Sequence, residues 1–152
     1  IGTLDGANVE IREQVGAENF FLFGMNEGEV AELHSEGYRP WELIPQQPEL
    51  QEVLKLVEQG HFSNGDSDLF RPLLENLTGR DPFCVLADFS DYLHVQEQVS
   101  RAWADRTAWN RMSVLNTART GFFSSDRSIR EYADRIWKAE AFPVTITCNL
   151  DD

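Results

Sequence analysis

The sequence predicts an α/β fold that is mostly α-helical over this stretch, with one or two short strands, and three observations support it. The aromatic run NFFLFG is too short for a helix and reads as a buried strand over residues 20–23. It feeds directly into MNEGEVAELHSEG, where Asn26 and Glu29 have the spacing of a capping box and Gly37 the place of a helix stop. A strand entering a capped helix is the elementary α/β arrangement. From Trp41 onward, five apolar stripes recur at helical spacing. A lone strand cannot satisfy its own backbone groups. The expectation is therefore a part of a larger α/β sheet domain whose remainder lies upstream of Ile1.

Taken in order, Asp5 is placed to cap a short helix over residues 8–15, with Gly16 as its stop. Leu50, Val53, Leu54 and Val57 share one helix face, closed by Gly60. Leu69, Phe70, Leu73, Leu74 and Leu77 form the second stripe, entered at Asp66 or Ser67 and ended by Gly79. The run PFCVLADF reads as extended. Tyr92, Val95, Val99 and Trp103 then make a third stripe after Asp88 or Ser90. Trp109, Met112, Leu115 and Ala118 make a fourth, entered at Asp105 and stopped by Gly121. Ile129, Tyr132, Ala133, Ile136 and Trp137 make a fifth after Ser124 or Ser125, with Asp126 complementing the helix dipole. Residues 1–140 are expected to form the folded portion. Residues 141–152, with a strand-like stretch at 144–147, are expected to be a loosely ordered tail.

The chain has 152 residues, 13 basic against 26 acidic, and a formal charge of −13. Such a field repels nucleic acid and anionic membranes, so neither is expected as a partner. No apolar run approaches the length needed to cross a bilayer. The chain opens at Ile1 without a signal-like leader, and the expectation is a cytoplasmic protein. Cys84 and Cys148 share no metal or redox spacing, and Cys84 within FCVLA reads as a small buried hydrophobe. The sequon Asn76-Leu77-Thr78 carries no weight without a secretion signal.

No catalytic constellation is visible. GTLDGAN could cradle a phosphate before a helix, but it lacks both the G-x-G-x-x-G spacing and the P-loop Lys-Ser/Thr, so a tight turn with Asp5 as cap is the favoured reading. NGDSDLF resembles a calcium loop only superficially. Counted from Asn64, Leu69 stands where glycine is required, and Asp66 and Asp68 fit a helix start better. His34, His61 and His94 lie far apart, so no metal site is expected. FSSDRS reads as a helix start rather than a nucleophile elbow. Arg119, Arg127 and Arg130 with Asp126 could hold an anion, though an ion-pair network joining two helices is the favoured reading. Trp103, Trp109 and Trp137 lie on stripes and read as core, and Trp41 beside Pro40 is left open.

Four stretches add a further reading: IGTLDGANVEI at 1–11, ENFFLFG at 18–24, VLADFSDYL at 85–93 and SVLNTARTGFFSSDRSIREYADRIW at 113–137. In this order and spacing the chain resembles the C-terminal end of the α-glucan phosphorylases, the glycogen, starch and maltodextrin phosphorylase family. The resemblance implies a large cytoplasmic enzyme of GT-B architecture, with two Rossmann-like domains facing a cleft. It implies transfer of terminal α-1,4-linked glucose from a glucan to inorganic phosphate, giving glucose 1-phosphate. It also implies pyridoxal 5'-phosphate on a lysine, the cofactor's phosphate group acting in proton exchange. That lysine would precede GTLDGAN. Lys55 and Lys138 do not match its motif, so no catalytic, cofactor-binding or metal residue is carried over to this chain. The piece alone is expected to be inactive and to self-associate through an unpaired sheet edge and apolar surface. The alternative is a non-catalytic interaction or regulatory module descended from the same domain. A nucleotide-sugar glycosyltransferase of the same architecture fits the motifs less well.

Overall fold

A computed structural model describes residues 1–140 and 142–143; the strand-like stretch at 144–147 and Cys148 lie outside the described residues. Seven α-helices are present among them: α1 (Ala7–Val15), α2 (Glu27–Ser35), α3 (Pro48–Glu58), α4 (Arg71–Gly79), α5 (Phe89–Ala104), α6 (Arg106–Arg119) and α7 (Ser125–Glu131). A π-helical turn, Tyr132–Trp137, continues α7, and short 3-10 turns cover Ala17–Asn19, Pro40–Glu42, Ile44–Gln46 and Thr120–Phe123. None of the described helices is long and apolar enough to cross a membrane.

The predicted strand is reduced to one parallel bridge, Gly2 with Leu22. The Gly2 amide donates to the Phe21 carbonyl at 3.0 Å, and the Phe23 amide donates to the Gly2 carbonyl at 3.2 Å. Parallel pairing requires a crossover, which α1 provides. No further strand lies beside this bridge among the described residues. The predicted caps at Asn26 and Asp105 are both present. Asn26 accepts from the Glu29 amide while Glu29 accepts from the Asn26 amide, and Asp105 accepts from the amides of Thr107 and Ala108. Asp5 does not act as a cap. Its backbone carbonyl accepts from the Asn8 amide, and Gly6, at φ +47°, turns the chain into α1 without a side-chain cap.

The stretch PFCVLADF is not extended. It coils around Asp81, which is fully buried. One carboxylate oxygen accepts from the Val85 amide at 2.9 Å; the other accepts from the Leu86 amide at 2.8 Å and the Tyr38 hydroxyl at 2.7 Å. The Cys84 amide returns to the Asp81 carbonyl, and the Asp88 amide to that of Cys84. An unpaired buried carboxylate would be very costly, so the surrounding backbone turns its amides inward. Burial, then the bond to Asp81 and its charge, push the Tyr38 hydroxyl pKa upward, which keeps it a donor. Cys84 and Leu86 sit beside this carboxylate in sequence and belong to the small core with Val15, Leu50 and Val95.

Helix α1 packs on α6, α5 on α6, and α3 on α4. Residues from the LNTAR stretch latch the end of α1. The Asn116 side-chain amide donates to the Asn19 carbonyl, the Asn19 side-chain amide to the Val15 carbonyl, and Arg119 to that same carbonyl. A cation there also complements the α1 dipole. Several stripes are apolar without being buried. Leu69, Leu73, Ile129 and Ile136 are exposed, as are Trp103 and Trp137, the latter at 61%. The reading of these two tryptophans as core is therefore corrected. Trp103 meets Trp109 edge-on and carries Arg106 over its ring, while Trp137 stacks on Tyr132. Helix α6 ends at Arg119 with Thr120 as its C-cap, and Gly121 follows within a 3-10 turn.

Removing the Asp81 carboxylate strands two amides and a hydroxyl. We predict that Asp81→Ala lowers unfolding stability by about 3 kcal/mol or more, and Tyr38→Phe by about 1 kcal/mol. Urea denaturation midpoints measure both.

Candidate functional site

In open α/β sheets, ligands sit outside the carboxyl ends of parallel strands. Here the Gly2–Leu22 bridge sends both chains the same way, so the segment after Gly2 and the turn at Gly24–Met25 emerge at one edge. A cleft of about 590 Å³ opens there, lined among others by Thr3, Asp5, Met25, Glu27, Phe83 and Asp88. Its size lies within the usual range for a small-molecule pocket. A larger groove of about 860 Å³ runs between α3 and α4, over Leu54 and Leu74, with Glu52, Glu58 and Arg71 on its rim. That groove lies away from the bridge, and the strand-end cleft is the stronger candidate.

Asp88, at the entry to α5, lines the cleft, and Asp91 one turn on holds the neighbouring Gly24 corner. Asp88 accepts from the Met25 amide at 3.0 Å, and Asp91 accepts from the Gly24 amide at 2.7 Å. The expected capping by Asp88 or Ser90 is thereby corrected. Asp88 is directed across to the strand turn, and the Ser90 hydroxyl bonds to Gln47. Gly24 has φ +83°, a conformation that favours glycine, and a Cβ there would lie 2.6 Å from an Asp88 carboxylate oxygen and displace it. Burial raises the Asp88 pKa, and the charges of Asp91, Asp81 and Glu29 add to the rise against the lowering bond from Met25.

No lysine, arginine or histidine lines this cleft among the described residues, and its charged lining consists of Asp5, Glu27 and Asp88. Carboxylates repel phosphate, so these residues do not fit the phosphate group of pyridoxal 5'-phosphate. Thr3, Leu4, Asp5 and Gly6 of GTLDGAN form one wall of this cleft, in a tight turn leading into α1. Lys55 pairs loosely with Glu52 on α3, and Lys138 donates to the Asp134 carbonyl.

The remaining candidates do not converge. Arg119 serves α1 and Glu18, whereas Arg127 bonds the Phe122 carbonyl and pairs with Glu131 at 2.6 Å within its own helix. Asp126 and Arg130 form no ion pair among the described residues. The arginines are therefore not joined into a single ion-pair network among the described residues. Asp66 accepts from the amides of Asp68 and Leu69, so it shapes the approach to α4. No grouping of three potential metal ligands occurs among the described residues. Cys84 is buried, as expected, and its sulfur lies 3.6 Å from His34 Nε2, a contact that sequence spacing did not signal. Burial, then Asp81 and Asp88, push the thiol pKa upward, opposite to what a nucleophile needs.

The raised Asp88 pKa has a definite sign. The native state binds this proton more tightly than the unfolded chain does. The associated stability is fully present below the unfolded carboxylate pKa and is lost as pH rises through the folded value. Asp88→Asn keeps an acceptor for Met25 but cannot titrate. We predict that it matches wild type at acid pH and is the more stable protein at neutral pH, measured by denaturation across that range.

The carbohydrate phosphorylase family model matches residues 1–139. The glycogen phosphorylase of Synechocystis sp. is 55% identical over 146 residues, 96% of this chain and 17% of the relative. That of Chlamydia pneumoniae is 44% identical over 138 residues, 90% of this chain and 17% of its own. The human muscle form is 44% identical over 140 residues, 92% of this chain and again 17% of the relative. The chain thus spans about a sixth of the length of these curated relatives. The four sequence motifs pointed the same way, and across nearly its whole length the chain belongs to the carbohydrate phosphorylase family.

Proposed function

We propose that this chain is the C-terminal portion of the C-terminal Rossmann-like domain of an α-glucan phosphorylase of GT-B architecture, with residues 1–140 as its folded part. Family membership over residues 1–139 carries this reading. The parallel bridge with its helical crossover supports it, being the smallest unit of a doubly wound sheet. The intact enzyme would act in the cytoplasm, transferring terminal α-1,4-linked glucose to inorganic phosphate and releasing glucose 1-phosphate.

Pyridoxal 5'-phosphate and its lysine would belong to other parts of that enzyme, since the acidic strand-end cleft suits neither the cofactor's phosphate nor the substrate's. The role assigned to this chain is architectural. Asp88 and Asp91 hold the Gly24–Met25 turn, and Asn116 with Arg119 holds the end of α1, so both sides of the bridged pair are fixed. No catalytic residue is assigned within it. Taken alone, the chain would self-associate through exposed apolar side chains such as Ile129, Ile136 and Trp137.

The decisive assay is phosphate-dependent release of glucose 1-phosphate from an α-1,4-glucan, comparing a polypeptide of the relatives' full length that contains this sequence with the 152-residue chain. Activity is expected in the long polypeptide and none in the short one. Turnover by the short chain would overturn the architectural role, and silence in both would overturn the phosphorylase reading.

A further inference from the structure

The loop joining α3 to α4 contains the dipeptide Asn64–Gly65, exposed to solvent. Asn-Gly is chemically vulnerable because glycine leaves its own amide nitrogen unhindered. That nitrogen can attack the preceding side-chain carbonyl. Nothing lies within 4 Å of where a Gly65 Cβ would sit, so that face of the residue is open.

The backbone protects it instead. The Gly65 amide donates to the Gly60 carbonyl at 2.9 Å, and Asn64 is held in the left-handed region at φ +52°. Ser63 and Asp66 close the loop from either side, the Ser63 amide donating to the Gly60 carbonyl and the Asp66 amide to that of Ser63. Gly60 lies directly against Gly65, where an added Cβ would fall 2.8 Å from the Gly65 carbonyl carbon. The nucleophile must give up its proton to react, and here that proton is committed to a hydrogen bond.

We propose that Asn64 is a latent deamidation site whose reactivity is set by opening of the Gly65-to-Gly60 hydrogen bond. On opening, the deprotonated Gly65 nitrogen attacks Asn64 Cγ. The new N–Cγ bond forms, the bond from Cγ to the side-chain nitrogen breaks, and ammonia leaves with the proton. Water then opens the five-membered imide at either carbonyl, giving aspartate or isoaspartate. The balance is one water consumed and one ammonia released, with no oxidant or cofactor. The product places a new carboxylate beside Asp66, whose own carboxylate orders the approach to α4.

The test is peptide mapping by mass spectrometry, with isoaspartate detection, after incubation at mildly alkaline pH. The folded chain is compared with a synthetic peptide spanning residues 61–69. Deamidation at Asn64 is expected to be at least about tenfold slower in the folded chain, which requires an opening free energy of only about 1.4 kcal/mol. Gly60→Ala, which forces the loop apart, should move the folded rate toward that of the peptide, and Asn64→Gln should abolish the signal. Equal rates in chain and peptide, or an inert peptide, would overturn the proposal, as would a folded Gly60→Ala chain no faster than wild type. Should Gly60→Ala fail to fold, hydrogen exchange on the wild-type chain decides. A protected Gly65 amide supports the inference, and exchange at the free-peptide rate refutes it.

Discussion

A carboxylate with no water around it must find its donors in the chain, and Asp81 sets that requirement for much of this structure. Its two oxygens take the amides of Val85 and Leu86 and the hydroxyl of Tyr38. The first two wind the following residues into a turn, placing Cys84 and Leu86 in the core. The third ties in the connection after α2, forty-three residues away in sequence. The turn delivers Asp88 and Asp91 to the Gly24–Met25 corner, which holds the end of the bridged segment. Burying one charge thus fixes the course of three separate stretches, and the cleft at the strand ends inherits its shape from them.

How much of this was legible depended on the range over which each interaction acts. The capping box at Asn26 and the cap at Asp105 are written within three residues and could be read directly. The turn at Asp81 could not. PFCVLADF is an apolar run without period, and nothing local announces that an aspartate at its edge is buried against a distant tyrosine. Asp88 looked like a helix cap because capping aspartates stand in that place, yet its donor comes from sixty-three residues earlier. Periodicity also says only that a face is apolar, and not that something covers it. Leu69, Leu73, Ile129 and Ile136 repeat at helical spacing and remain exposed.

The candidate site divides in the same way. GTLDGAN could be singled out from its glycines, and it does form one wall of the cleft. The acidic character that argues against phosphate comes partly from Glu27 and Asp88, which are remote from it in sequence. Family membership, by contrast, was legible from four motifs because order and spacing along a chain need no three-dimensional partner. The LNTAR stretch within the last motif acquires a physical role only in the fold, where Asn116 and Arg119 hold the end of α1.

Cys84 gives this arrangement a chemical reporter. The residue is 1% exposed, and its raised pKa keeps the thiol from the thiolate form that alkylating reagents and peroxides attack. It stands three residues after Asp81, inside the turn that the buried carboxylate organises. Cys84 borders the strand-end cleft, yet so little of it is exposed that loosening of the turn is what presents the sulfur to a reagent. The trapping rate of Cys84 therefore counts openings of the hub, and oxidative damage at this position would mark molecules in which the hub had already failed.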